Sequence, residues 1–144
     1  MPTNKTTYRV IYGDTDKMGI AYHANYLRWF EIGRSEMFRS FGVTYKAIEA
    51  KGVLLPVSEA YCKFLFPARY DDVLVIKTSV DNDFKGGIKF VYTIAGEDSQ
   101  KVLAKGYTKH ACIDRNGKVI RPPKFLTNLI KKQITVQPPR HKGL

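Results

Sequence analysis

The stretch "YGDTDKMGIAYHANYLRWFE", Tyr12–Glu31, decides how this chain reads. Before it runs TYRVIY, Thr7 to Tyr12, whose β-branched and aromatic residues predict a first strand. Gly13-Asp14-Thr15-Asp16 is built of turn formers and ends that strand. From about Ala24 to Phe41 the apolar residues Tyr26, Leu27, Phe30, Met37, Phe38 and Phe41 recur at helical spacing. Glu31 can pair with Arg34 one turn on, and Gly42 supplies a stop. Two aspartates and a histidine, His23, therefore crowd a strand-to-helix junction.

Beyond this helix the chain turns to sheet. LLPVSEAYCKFLF (54–66), DVLVIKTSV (72–80), GIKFVYTIAG (87–96) and VLAKGYTKHACI (102–113) are β-rich runs separated by turn residues. A short helix is predicted over Tyr45 to Lys51, closed by Gly52, and a tight turn at Asp114–Gly117. A last helix is predicted over Lys124 to Lys132, after Pro122-Pro123. One long early helix followed by antiparallel strands is an α+β pattern: a curved sheet of about five strands wrapped around one long central helix. A single helix covers one face of such a sheet, so an oligomer is expected.

A chain of 144 residues, 44% hydrophobic and 26% charged, is expected to form a single domain over 1–132 with a basic tail over 133–144. The sequence shows no apolar run of the ~20 residues a membrane span needs, and the first residues lack the apolar core of a signal peptide. A cytoplasmic protein is the expectation. Cys62 and Cys112 form no CxxC pair and read as small buried hydrophobes. With three histidines, none spaced with a cysteine or another histidine, no metal site is expected. The net charge of +11 attracts polyanions, whether nucleic acid, anionic lipid or a phosphate-rich cofactor.

At the junction, the first turn of a helix offers backbone N–H groups without intrahelical partners, together with a partial positive charge. Such a site can hold an oxyanion or a polarised carbonyl. A carboxylate beside it can act as nucleophile or as general base on water. The residue types and their order fit acyl transfer, while an Asp-x-Asp in a loop and a lone histidine at a helix start are also common as caps and packing.

The pattern Y-x-D-T-D-x-x-G-x-x-Y-H-x-x-Y-x-x-W-F-E-x-x-R, Tyr12 to Arg34, resembles the signature of the 4-hydroxybenzoyl-CoA thioesterase family. These are hotdog-fold acyl-CoA thioesterases, with relatives associated with the Tol–Pal system. A weaker match continues through PVSEAYCKFLFPARYDDVLVI and IKFVYTI. The resemblance implies that Asp16 is the catalytic carboxylate, attacking the thioester or activating water. It implies that His23, with a backbone N–H for the thioester oxygen, and Tyr12 complete the catalytic set. Asp14 is read as a turn former, Gly19 as the residue that lets the loop approach substrate, and Tyr26, Trp29 and Phe30 as core.

The substrate implied is an acyl-CoA, with an acyl carrier protein thioester as the alternative carrier. Lys85, Lys89 and Arg69 are candidates for the coenzyme A phosphates. No cofactor is implied beyond the coenzyme A of the substrate, and the assembly implied is a homodimer, often a homotetramer, with shared active sites. Competing readings are a dehydratase or hydratase on the same fold and a basic nucleic-acid module, the latter lacking a reader motif. A scaffold that has lost activity is the third.

Overall fold

β-Branched and aromatic residues at alternate positions build the main sheet of the computed structural model, which describes residues 2–81 and 86–136. The strands are β1 (Thr3–Arg9), β2 (Val57–Phe64), β3 (Val73–Asp81), β4 (Ile88–Gly96) and β5 (Val102–His110). They lie in the order β1-β3-β4-β5-β2, and every neighbouring pair is antiparallel. On the inner face Leu74, Ile76 and Val80 of β3 and Ile88, Phe90, Tyr92 and Ile94 of β4 are buried. Their sequence neighbours point to the outer face, as the two-residue period of a strand requires.

Helix α1 (Asn25–Ser40) lies on the inner face against β1 and β3 and reaches β2 and β4. Its buried stripe is Tyr26, Trp29, Phe30, Gly33, Met37 and Phe38. Phe30 stacks on Tyr92 with ring centres 4.2 Å apart, and Phe38 meets Phe90 edge-on. Gly33 sets the helix-to-sheet distance, because a Cβ there would run into the Thr78 hydroxyl and the Ile76 side chain. The helix ends as expected, with Gly42 at φ +87° after the Phe41 cap. Trp29, Phe30, Met37 and Phe38 are essentially fully buried, at about 1.5–3 kcal/mol of transfer free energy for side chains of this size.

The helical part is not α1 alone. Helix α2 (Tyr45–Ala50) is capped by the Thr44 hydroxyl, which accepts the Ala47 N–H at 3.1 Å. Helix α3 (Lys124–Val136) buries Leu126 and Ile130 in the same core and runs past the expected Lys132 end. A small hairpin of β6 (Cys112–Ile113) and β7 (Val119–Ile120) forms around the expected turn, where Asp114 Oδ1 accepts the N–H groups of Asn116 and Lys118.

Strand β1 departs from the reading of Thr7 to Tyr12. It starts at Thr3 and stops at Arg9, because its ladder runs from Thr3↔Ser79 to Arg9↔Val73. The polar residues of Thr3–Thr6 suit an edge strand with one face in water. Ile11 leaves the sheet because its N–H goes to the Asp14 carboxylate at 3.0 Å, which opens a 3-10 turn over Tyr12–Asp14.

Candidate active site

The junction folds around the first aspartate. Asp14 is buried, and its carboxylate accepts the Tyr8 hydroxyl at 2.7 Å, the Ile11 N–H at 3.0 Å and the Arg28 guanidinium at 2.6 Å. Its carbonyl accepts the Tyr22 N–H at 2.7 Å and Asn25 Nδ2 at 2.7 Å. One residue thus ties together the end of β1, the turn and the first turn of α1. Burying a carboxylate is costly unless it is paired and hydrogen-bonded, and here it is both. A pull from Arg28 and two hydrogen-bond donors offsets the lost hydration.

Asp16 opens a short hairpin. Thr15 bridges to Ala21, the Asp16 N–H reaches the Ile20 carbonyl at 2.9 Å, and Gly19 turns the chain with φ +79°. Nothing would touch a Cβ on Gly19 within 4 Å, so its backbone handedness, and not crowding, calls for glycine within this chain. Asp16 Oδ1 accepts the Met18 N–H at 2.8 Å; among the described residues Oδ2 has no partner. The side chain is half-buried, unlike Asp14.

The hairpin returns the chain to the start of α1. The Asn25 N–H bonds the Tyr22 carbonyl at 3.0 Å and the Tyr26 N–H the His23 carbonyl at 3.2 Å. Among the described residues the N–H groups of His23 and Ala24 have no acceptor. Two open donors at a helix start are what a carbonyl oxygen needs in order to be polarised. The His23 ring is exposed, tilted against Tyr22 and edge-on to Phe64 at 6.3 Å.

An apolar cavity of about 340 Å³ adjoins this point, lined by Ile20, Ala21, His23, Tyr26 and the segment Phe64–Pro67. Leu65 and Phe66 are fixed by N–H bonds to the Leu103 carbonyl, and Lys101 lies 3.4 Å over the Phe66 ring. Tyr26 serves both core and cavity: it is buried, and its hydroxyl accepts the Ala68 N–H at 3.2 Å. Burial pushes the Tyr26 phenol above its ordinary pKa, so it stays neutral.

The other residues singled out by sequence lie elsewhere. The Tyr12 ring stacks on Tyr70 with centres 3.9 Å apart and is 74% exposed; among the described residues its hydroxyl bonds neither Asp16 nor His23. Arg69 pairs through its backbone with Ile20, beside the hairpin. Lys89 lies on the outer sheet face, 4.6 Å over the Tyr107 ring, beside a cavity of about 360 Å³ that Gly86, Gly87 and Lys109 also line. Lys85 lies outside the described residues. Cys62 and Cys112 are free thiols whose burial pushes their pKa up to about 11. Among the described residues there is no group of His, Cys, Asp and Glu side chains placed to hold a metal ion, and no helix long and apolar enough to cross a membrane.

Two features gave little signal in the sequence. The Asp14–Tyr8–Arg28 cluster joins residues with no shared local pattern. A second polar chain runs under α1: the Arg34 guanidinium donates to the Tyr92 oxygen at 3.5 Å, and Tyr92 and Thr108 share a hydroxyl bond at 2.6 Å. Thr108 then meets His110 Nε2 at 2.8 Å, and Nδ1 lies 2.9 Å from the Leu55 carbonyl. A carbonyl only accepts, so Nδ1 carries the proton and Nε2 accepts from Thr108. Burial, with the Arg34 charge adding to it, pushes the His110 pKa down to about 4 against the opposing pull of the Leu55 carbonyl.

Comparison with known proteins points one way. The family model described as the thioesterase-like superfamily matches residues 10–132. A Bacillus subtilis protein named as a candidate acyl-CoA thioesterase, YneP, is 37% identical over 118 residues, covering 80% of this chain and 83% of that protein. The acyl-CoA thioester hydrolase YbgC of Escherichia coli O157:H7 is 31% identical over 106 residues, covering 74% and 78%. Among solved structures, a DHNA-CoA thioesterase from Staphylococcus aureus superposes with a TM-score of 0.85 at 28% identity, over 95% of this chain and 92% of that one. A mutant 4-hydroxybenzoyl-CoA thioesterase in complex with 4-hydroxybenzoyl-CoA shares the fold, with a TM-score of 0.81 at 19% identity over 90% and 99%.

Proposed function

The chain belongs to the thioesterase-like superfamily and has its hotdog fold, and on that premise we propose that it hydrolyses acyl-CoA thioesters with Asp16 as the reacting carboxylate. The observation that carries this reading is the apposition at one junction of three things. They are a half-buried carboxylate with one unbonded oxygen, two open N–H groups at the start of α1, and an apolar cavity under His23. The thioester carbonyl oxygen would accept from the His23 and Ala24 N–H groups, which are fixed before substrate arrives. Asp16 would attack the carbonyl carbon or take a proton from the water that does so. In the first case the C–S bond breaks to leave a mixed anhydride on Asp16, which water hydrolyses to the acid and the free carboxylate. In the second, water adds directly and the C–S bond breaks. In both, coenzyme A leaves as a thiolate that is then protonated.

The acyl group is assigned to the cavity against Phe64–Pro67, and α1 is taken as the central helix of the fold. His23 would act through its backbone N–H first and its exposed ring second. Tyr12, its ring stacked on Tyr70, is proposed to meet the substrate. Arg69 beside the hairpin, with Lys89 and Lys85, is proposed to neutralise the coenzyme A phosphates. No resident cofactor is assigned.

Assembly as a homodimer, and then a tetramer, is part of the proposal. β2 ends the sheet with nearly every residue exposed, including Val57, Tyr61 and Phe64. An edge with unpaired backbone groups and exposed apolar side chains on both faces is well suited to pairing with a second copy. A cytoplasmic location agrees with the two free thiols.

The test is thiol release from benzoyl-, hydroxybenzoyl-, short- and medium-chain acyl-CoAs by wild type and by Asp16→Asn. Loss of about a thousandfold or more in the variant is expected for removal of a reacting carboxylate. Equal turnover by both proteins would overturn the assignment of Asp16. Turnover of an acyl carrier protein thioester, with none of any acyl-CoA, would move the substrate to the carrier.

A further inference from the structure

The outer face of the sheet carries a row of lysines that the site above does not use. Ladder partners place Lys5 opposite Lys77, Lys77 opposite Thr93, Thr93 opposite Lys105, and Lys105 opposite Lys63. Directly paired residues share a face, so these side chains form one line across all five strands, roughly 19 Å long at the spacing of neighbouring strands. All four lysines are exposed, and among the described residues none makes a hydrogen bond or ion pair.

Like charges placed directly opposite each other destabilise a sheet. The same face shows how such a pair can be offset. Lys89 and Lys109 are also ladder partners, but Lys109 meets Glu59 at 3.6 Å and both lysines lie over the Tyr107 ring. Lys5–Lys77 and Lys63–Lys105 have no such compensation. Beside Lys5, Lys77 and Thr93 the face is also hollowed, with a volume of about 320 Å³, and only the Glu97 carboxylate lines it on the acidic side. Two uncompensated pairs in one line point to an anionic partner from outside the chain.

We propose that this face docks on an anionic phospholipid surface. A second copy of the chain would oppose lysine to lysine. Duplex nucleic acid is read by an element that enters a groove, and this row along the sheet face puts only Thr93 between its lysines. Single strands need free aromatic rings, but Tyr61 and Tyr107 stack on each other and Tyr107 gives its hydroxyl to Glu59 at 2.5 Å. The hollow beside Thr93 and Ala95 is walled by Lys5 and Lys77, which suits an anionic group better than the apolar anchor residue of a protein partner. A lipid surface needs only charge at close approach. The sheet twists by about 20–25° per strand, and flexible lysine stems let the four ammonium groups settle on one plane in spite of it.

The experiment is co-sedimentation of the whole chain with phosphatidylcholine vesicles, with and without phosphatidylglycerol, at low and high salt. Wild type is expected to bind only the anionic vesicles and to release in high salt. Lys77→Gln/Lys105→Gln should weaken binding about 25-fold, taking about fivefold per lysine. It should also melt no lower than wild type, since repulsion is removed, and should keep its thiol release from a short acyl-CoA. Lys46→Gln/Lys131→Gln, with the same loss of charge on helices, should keep most of the vesicle binding. Equal binding to neutral vesicles, or an equal loss in the helix variant, would overturn the proposal. So would tight binding of an oligonucleotide or an acidic carrier protein, lost in Lys77→Gln/Lys105→Gln, while vesicles stay unbound.

Discussion

Acidification should strike this fold through His110. The imidazole is 2% exposed, neutral, and held between the Leu55 carbonyl and the Thr108 hydroxyl. Its pKa falls from the ordinary 6.5 to about 4, chiefly through burial. When a folded pKa lies below the unfolded one, the unfolded chain takes up the proton first. Stability is therefore intact above pH ~6.5 and drains away as pH falls toward ~4. Between pH ~7.5 and ~5 the loss from this one group comes to about 2 kcal/mol, at about 1.4 kcal/mol per pH unit within the window. The same protonation would reverse a bond, since Nε2 would have to donate to a Thr108 oxygen already bonded to Tyr92. The assay is urea unfolding of wild type and His110→Gln at the two pH values and one protein concentration. Carboxylates titrate alike in both proteins, so the difference of differences isolates His110. If wild type and His110→Gln lose equal stability on acidification, the reasoning about this buried ring is wrong.

Two further substitutions test the packing and the junction. Gly33→Ala would push a methyl group into Thr78 and Ile76, and should cost about 2–3 kcal/mol in chemical unfolding, with the helix-to-sheet distance forced apart. No measurable loss would mean that α1 can shift freely on the sheet. Asp14→Asn keeps the size of the side chain but leaves Arg28 without its buried counter-charge. It should lower kcat for acyl-CoA hydrolysis more than it raises KM, because Asp16 and the His23 N–H lose their common anchor. A fall in thermal stability with kcat unchanged would confine Asp14 to holding the fold.

The parts of the fold that could be read from sequence are those with a strong period. The helix expected over Ala24 to Phe41 forms as Asn25–Ser40 because its apolar stripe matches a buried face, and β3 and β4 follow their strict alternation. β1 was harder, since an edge strand wets one face and its Thr3–Thr6 start carries no apolar alternation. Gly42, Gly52 and Gly117, with φ of +87°, +85° and +80°, were legible as stops and turns for the reason that only the backbone conformation decides them.

The candidate site was legible in a different way. Asp16 and His23 were reachable through a motif, and the hairpin that pairs Thr15 with Ala21 and Asp16 with Ile20 carries the chain from one to the other. The wall at Phe64–Pro67 was not, because it comes from the far end of β2 and meets His23 only through the closure of the sheet. Asp14 looked like a turn former beside the interesting acid. Its partners Tyr8 and Arg28 sit six residues before it and fourteen after, on elements whose packing no local rule predicts.

The anchoring of the junction by Asp14 has an evolutionary consequence. The acid-bearing hairpin is fastened to β1 and α1, whereas the apolar wall is fastened to β5 by the Leu103 carbonyl and by Lys101. The two meet just past Pro67, where the Ala21 N–H bonds the Ala68 carbonyl at 2.8 Å and Ile20 pairs with Arg69. On the proposed assignment, drift at Phe64, Leu65 or Phe66 would resize the acyl compartment while Asp16 and the His23 and Ala24 amides keep their places. A lineage built on this scaffold would then be expected to move among acyl groups by single steps in that wall.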